Sequence, residues 1–141
     1  MPTNQQSLIA HLTVDNANKA IEFYKQGLGA VENLRMPAED GKRLIHAELE
    51  INGSKVFVMD DFPEYYPGSN KGKSMTPKAL GGTSVSLHLE VRNCDDSFKR
   101  AVDAGAKVVM EPMDAFWGAR YGQVIDPFGH RWSFAHPLPK K

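Results

Sequence analysis

Apolar and polar residues alternate through residues 8–14, where little charge is carried, and that period of two predicts a strand. Asp15 or Asn16 then caps a helix beginning near Ala17. Ala17, Ala20, Ile21, Tyr24 and Leu28 recur along it at helical spacing, and Gly29 supplies the stop. Residues 31–36, 44–51 and 55–59 read as three further strands, with Asn52-Gly53 as the hairpin turn between the last two. The same order then returns. Residues 85–91 read as a strand, and Asn93 caps a helix carrying Cys94, Phe98, Ala101 and Val102. Gly105 ends that helix, and residues 107–110, 121–125 and 130–136 are strands.

The two halves match residue for residue at their starts. Ser7 to Asn16 lies over Ser84 to Asn93 without a gap, with Ser, His, Leu, Val and Asn coinciding and His11 falling on His88. Two copies imply two modules packed on each other; a solenoid usually needs three or more repeats. The expected organisation is α+β, with a first module at 7–60, a linker at 61–82 and a second module at 83–137. The linker is rich in Pro, Gly and Ser and carries Phe62, Tyr65 and Tyr66. It reads either as a cover over a site or as a spacer.

Composition narrows the function classes. The chain has 141 residues, 41% of them hydrophobic, enough for a core and for one domain or two intimately packed halves. Seventeen basic residues balance seventeen acidic ones, so nothing suggests a nucleic-acid partner. The single cysteine, Cys94, excludes a disulfide within the chain. No apolar run spans a membrane and the N-terminal residues have no signal-peptide core, so a cytoplasmic protein is expected.

Candidate chemistry concentrates near the C-terminus. Trp117, Arg120 and Tyr121 sit in a loop leading into a strand, and Asp126-Pro127-Phe128-Gly129 forms a turn before His130, Arg131 and Trp132. Aromatics and arginine before a strand suit a small-molecule pocket; the tryptophans could equally fill the core. Arg120 could bind an anion, or staple the hairpin through Asp126 or Glu111. His11 and His88 are polar residues on equivalent strands. They could line a ligand cavity, hold a metal with Glu48, Glu50 or Glu90 nearby, or serve as an acid–base pair. His46 is expected at a solvent-facing rim, His130 bonded to its hairpin backbone, His136 exposed, and Cys94 a small buried residue. No Ser-His-Asp set, phosphate loop or dinucleotide fingerprint is visible.

Ala20-Ile21-Glu22-Phe23-Tyr24 with Gly27-Leu28-Gly29-Ala30, and Trp117-Gly118-Ala119-Arg120-Tyr121-Gly122 with Asp126-Pro127-Phe128-Gly129-His130-Arg131-Trp132, resemble the vicinal oxygen chelate superfamily of glyoxalases, bleomycin-resistance proteins and extradiol dioxygenases. The C-terminal pair resembles its PhnB-like branch. The resemblance covers nearly the whole chain. It implies two βαβββ modules curling into a cup, a homodimer, and a small-molecule ligand, with lyase, isomerase or dioxygenase chemistry in the enzymatic members. It also implies metal ligands on the first and last strands of each module. Counting from the motifs puts those near Ile9, Phe57, Ser86 and Ser133, none a histidine or carboxylate, so no metal cofactor is expected at the usual site. A divalent metal held unconventionally around His11 and His88 is the alternative. The loop 116–121 and the linker aromatics 62–66 are expected to line or close the pocket, with His11 and His88 deeper.

Overall fold

The computed structural model describes residues 6–140. The first module runs β1 (Ala10–Val14), α1 (Ala17–Leu28), β2 (Val31–Pro37), β3 (Leu44–Ile51) and β4 (Ser54–Asp60). After two single turns of 3₁₀-helix and the short α2 (Pro77–Leu80), the second module runs β5 (Ser86–Glu90), α3 (Cys94–Ala104), β6 (Lys107–Asp114), β7 (Ala119–Ile125) and β8 (Arg131–Pro137). Each module closes its own four-stranded sheet, in the orders β1-β4-β3-β2 and β5-β8-β7-β6. The first strand pairs parallel with the last, and the other pairs are antiparallel. The architecture is α+β with two tandem βαβββ units, as the repeat implies. No strand of one sheet pairs with a strand of the other.

The helices start and stop where the sequence places them. Asn16 and Asn93 each accept a hydrogen bond from the backbone three residues on, filling one of the orphan donors of a first turn. Gly29 ends α1 at φ 70°, a left-handed position that costs glycine nothing. Asn52 and Gly53 have φ 51° and 83°, the mirror-image turn whose twist matches its flanking strands.

The strand starting at residue 8 in the sequence reading begins at Ala10 instead. The Gln6 side chain accepts a hydrogen bond from the Lys55 N–H and donates one to its carbonyl, so an amide occupies the ladder groups that β1 would otherwise reach. The strand expected to end at Met110 continues to Asp114 through Pro112. Strand β6 lies at a sheet edge and shifts register between Met110 and Met113, a place where a missing N–H is tolerated.

The core lies between the helices and one face of each sheet. Leu12, Val14, Ala47, Leu49, Ile51, Val56 and Val58 pack with Ala20, Ile21, Tyr24 and Leu28. Val124, Trp132 and Phe134 pack with Cys94, Phe98 and Ala101. The helices also join the modules. A Cβ on Gly27 of α1 would stand 3.1 Å from the Ala104 Cβ of α3, so glycine permits close approach there. Arg100 reaches from α3 to donate to the Gln26 and Lys25 carbonyls in the last turn of α1. The faces of the sheets turned away from the helices stay open, with Leu34, Met36, Met110 and Met113 exposed along the two outer strands.

Candidate functional site

Period two puts His11 and Thr13 on the open face of β1, Phe57 and Met59 on that of β4, and His46 and Glu48 on that of β3. Register sets His11 beside Phe57 and Phe57 beside Glu48. The three rings form a cluster. His46 lies 4.6 Å from Phe57 between ring centroids, and His11 lies 5.8 Å from both, every pair edge-on. Partial burial, and then the neighbouring His46, lower the His11 pKa below the ordinary imidazole value. His46 is thus packed against His11 rather than standing at a solvent rim. Sequence could not reveal this pairing, because it depends on β4 running between β1 and β3.

On the second sheet the open face carries His88 on β5, Ser133 on β8, and Tyr121 and Gln123 on β7. A His88 ring nitrogen, Nδ1, lies 2.8 Å from Ser133 Oγ, and Nε2 lies 3.3 Å from a Glu90 carboxylate oxygen. The imidazole stacks on Tyr121, whose ring meets Trp117 edge-on at 5.6 Å. Trp117 and Phe116 project from the tight β6–β7 turn, where Gly118 takes φ 92°. Trp117 is 58% exposed and Trp132 only 1%, so one tryptophan belongs to the open surface and the other to the core. The five expected site residues therefore divide. His88, Trp117 and Tyr121 form one continuous group on the second sheet, and His11 sits with His46 and Phe57 on the first. His11 and His88 occupy equivalent strands but share no partner.

Arg120 is elsewhere. It alternates with Tyr121, so it points to the helix side of β7. There it pairs with Asp95 of α3 through Nε and an Nη, and with Asp114 of β6. Those hydrogen bonds push its pKa further up. Stapling is the role observed, with Asp95 and Asp114 as partners in place of Asp126 or Glu111. The His130 ring bonds across the modules to the Thr13 carbonyl, while its backbone N–H and carbonyl bond Asp126 within the hairpin. The half-buried His136 accepts from the Cys94 N–H at the start of α3. The Cys94 thiol is buried and donates to the Phe134 carbonyl; burial, and then Asp95, raise its pKa, the opposite of a reactive thiol.

The linker makes a separate cleft of about 880 Å³ with the first module, lined by Phe62, Tyr65, Tyr66, Arg43, Ile45 and Met59 among others. Arg43 sits 4.2 Å over the Phe62 ring while holding Glu64 and Asp40. In one chain the linker aromatics thus adjoin the first sheet and the loop around Trp117 adjoins the second.

Register also relates the expected metal positions to the two histidines. Phe57 faces His11, not Ile9, and Ser133 faces His88, not Ser86. Ile9 and Ser86, the expected first-strand positions, lie two residues before these histidines, and neither isoleucine nor serine is a strong ligand. Phenylalanine cannot ligate and a serine hydroxyl is a poor ligand for a borderline cation, so these positions do not fit the family's metal. Among the described residues no three His, Cys, Asp or Glu side chains are grouped to hold an ion.

Two tandem βαβββ units with their first-strand histidines on open sheet faces define a glyoxalase-type protein. Residues 7–134 match the profile of the Glyoxalase/Bleomycin resistance protein/Dioxygenase superfamily, and the chain belongs to that family. It is 51% identical over 134 residues to an uncharacterised protein of Mycobacterium tuberculosis (strain ATCC 25618 / H37Rv), covering 95% of this chain and 76% of that one. Among solved structures, TioX from Micromonospora sp. ML1 superposes with a TM-score of 0.72 at 27% identity, covering 95% of this chain and 100% of that chain. An Arabidopsis thaliana gene product superposes with a TM-score of 0.68 at 30% identity, covering 93% and 98%.

Proposed function

We propose that this chain binds a small organic molecule in a cup bounded by the open faces of its two kinds of sheet, without the four-ligand metal centre of its enzymatic relatives. The observation that carries the reading is the placement of aromatic and imidazole side chains. Helices cover one face of each sheet, while His11, His46 and Phe57 on one and His88, Tyr121 and Trp117 on the other stay uncovered. Such surfaces bind planar, partly apolar molecules, with the imidazoles and Ser133 fixing orientation. Within one chain the two faces belong to separate sheets. A second copy of the chain completes the cup, its second module meeting the first module of its partner. The exposed apolar residues Leu34, Met36, Val108, Met110 and Met113 on outer strands support such a homodimer.

The motifs around Trp117 and Asp126 resemble those of the PhnB-like branch, and that resemblance supports assigning the protein to it. A PhnB protein of Bacillus cereus shares the fold with a TM-score of 0.66 at 16% identity. A reducing cytoplasm fits the one buried, unreactive cysteine. No described helix is long and apolar enough to cross a membrane.

A lyase, isomerase or dioxygenase is the second reading. What favours it is His88, whose ring is oriented by Ser133 on one side and Glu90 on the other, as a proton-accepting imidazole is.

The test is a thermal-shift screen of aromatic and heterocyclic compounds, followed by calorimetric titration of hits and light scattering of the free protein. The reading expects a mass twice that of the chain, and hits weakened by Trp117→Ala and by His88→Ala. A monomer, or hits indifferent to both substitutions, would overturn it. Turnover of a hit that disappears in His88→Ala would move the assignment to the enzyme.

A further inference from the structure

We propose that His11 and His46 form a two-histidine site for a divalent transition-metal ion, contained within the first module and separate from the position its family uses. The two residues stand on β1 and β3, which are not neighbours; β4 runs between them and supplies Phe57 as the floor beneath both rings. The imidazoles meet edge-on at 86° with centroids 5.8 Å apart. Two imidazoles bound to one ion through Zn–N bonds of about 2.0–2.1 Å have centroids about 5–6 Å apart, the spacing of this pair, and chelation requires the rings to turn a nitrogen each toward the ion.

The hydrogen-bond pattern singles out the same two residues. His88 is held by Ser133 and Glu90, His130 by the Thr13 carbonyl, and His136 by the Cys94 N–H. The rings of His11 and His46 make no hydrogen bond to any described residue, and they are the two that touch. A metal-binding imidazole needs a free nitrogen lone pair, and these have one to give. A cleft of about 350 Å³, lined by His11, Thr13, Met75, Pro77 and His130 among others, opens beside His11 from the linker side.

Imidazole nitrogen selects Ni²⁺, Cu²⁺ or Zn²⁺ over Mg²⁺ or Ca²⁺. Two protein ligands leave several coordination positions to water or to a chelating small molecule, so the ion exchanges readily and is lost in purification. The site shares His11 and His46 with the proposed cup, but its test needs no organic ligand, and neither His88 nor Trp117 takes part in it.

Untagged, chelator-treated protein titrated calorimetrically with Ni²⁺ and Zn²⁺ tests this, with Mg²⁺ for comparison. The expected result is one transition-metal ion per chain and no Mg²⁺ binding. His11→Gln and His46→Gln should each weaken binding more than about tenfold, the loss of one of two ligands, while His88→Gln leaves it unchanged. Histidine side-chain nuclear magnetic resonance of the wild-type protein with Zn²⁺ should shift His11 and His46 together, a readout independent of how the variants fold. Absence of saturable binding, full binding by His46→Gln, or loss in His88→Gln would overturn the proposal; the last would place the ion across the two modules.

Discussion

Asp126 joins more of the molecule than any other side chain in the C-terminal motif. It is 4% exposed and accepts four hydrogen bonds: Tyr24 Oη at 2.6 Å, Trp132 Nε1 at 2.9 Å, and the backbone N–H groups of Phe128 and His130. The motif from Asp126 to Trp132 is therefore a structural device first, and it ties the second module to α1 of the first. Burial, and then the adjacent Asp126, raise the Tyr24 pKa well above its usual value, so the phenol remains a donor. Tyr24→Phe removes one hydrogen bond to a buried carboxylate and should cost about 1.5–3 kcal/mol in denaturant unfolding. The tryptophans give a paired prediction. Trp132→Ala should cost about 3–5 kcal/mol, the range for truncating a buried aromatic, whereas Trp117→Ala should change stability by about 0.5 kcal/mol or less. Equal losses at the two positions would mean that Trp117 is a core residue. Their difference was not legible in the sequence, where both tryptophans belong to one motif and only burial separates them.

At the scale of elements, Glu32 clamps the edge strand β2 to α1. Its carboxylate takes Arg35 through two hydrogen bonds and lies 2.8 Å from Lys25 Nζ, and Arg35 reaches on to Asn18. The Arg35 hydrogen bonds, followed by Lys25, lower the Glu32 pKa from 4.5 to about 2. A depressed carboxyl contributes stability above its unfolded-state pKa and loses it as the pH falls through the folded value. Glu32→Gln should therefore lower stability at neutral pH and flatten its decline between about pH 4.5 and pH 2, the range in which the wild type loses the same contribution. Unchanged acid unfolding of the variant would remove Glu32 from the clamp. The caps at Asn16 and Asn93, the glycine stops and the Asn52-Gly53 turn were all readable from the chain, because each is a local backbone requirement met by a neighbouring residue. Start and end points set by distant groups were not. Gln6 replaces strand at Lys55 across 49 residues, and the Pro112 extension rests on β6 being an edge. The same limit covers His46, expected at a rim, and Arg120, whose sequence leaves both a pocket role and a stapling role open. Strand order and register decide both, and neither is written in local periodicity.

The whole molecule is two half-covered sheets joined back to back through their helices. Covering the remaining faces is the physical problem this arrangement leaves, and the residues on those faces are the ones suited to hold a ligand. Methionines report on both faces. Met36 and Met59 lie on the open face of the first sheet, and Met110 and Met113 on that of the second, out of six methionines in the chain. Methyl resonance spectra of methionine-labelled wild-type protein, titrated with a compound that raises its melting temperature, test the cup most directly. The account predicts simultaneous shifts of a first-sheet methyl, Met36 or Met59, and a second-sheet methyl, Met110 or Met113. Saturable binding that moves methyls of one sheet alone, or none of these four, would contradict it.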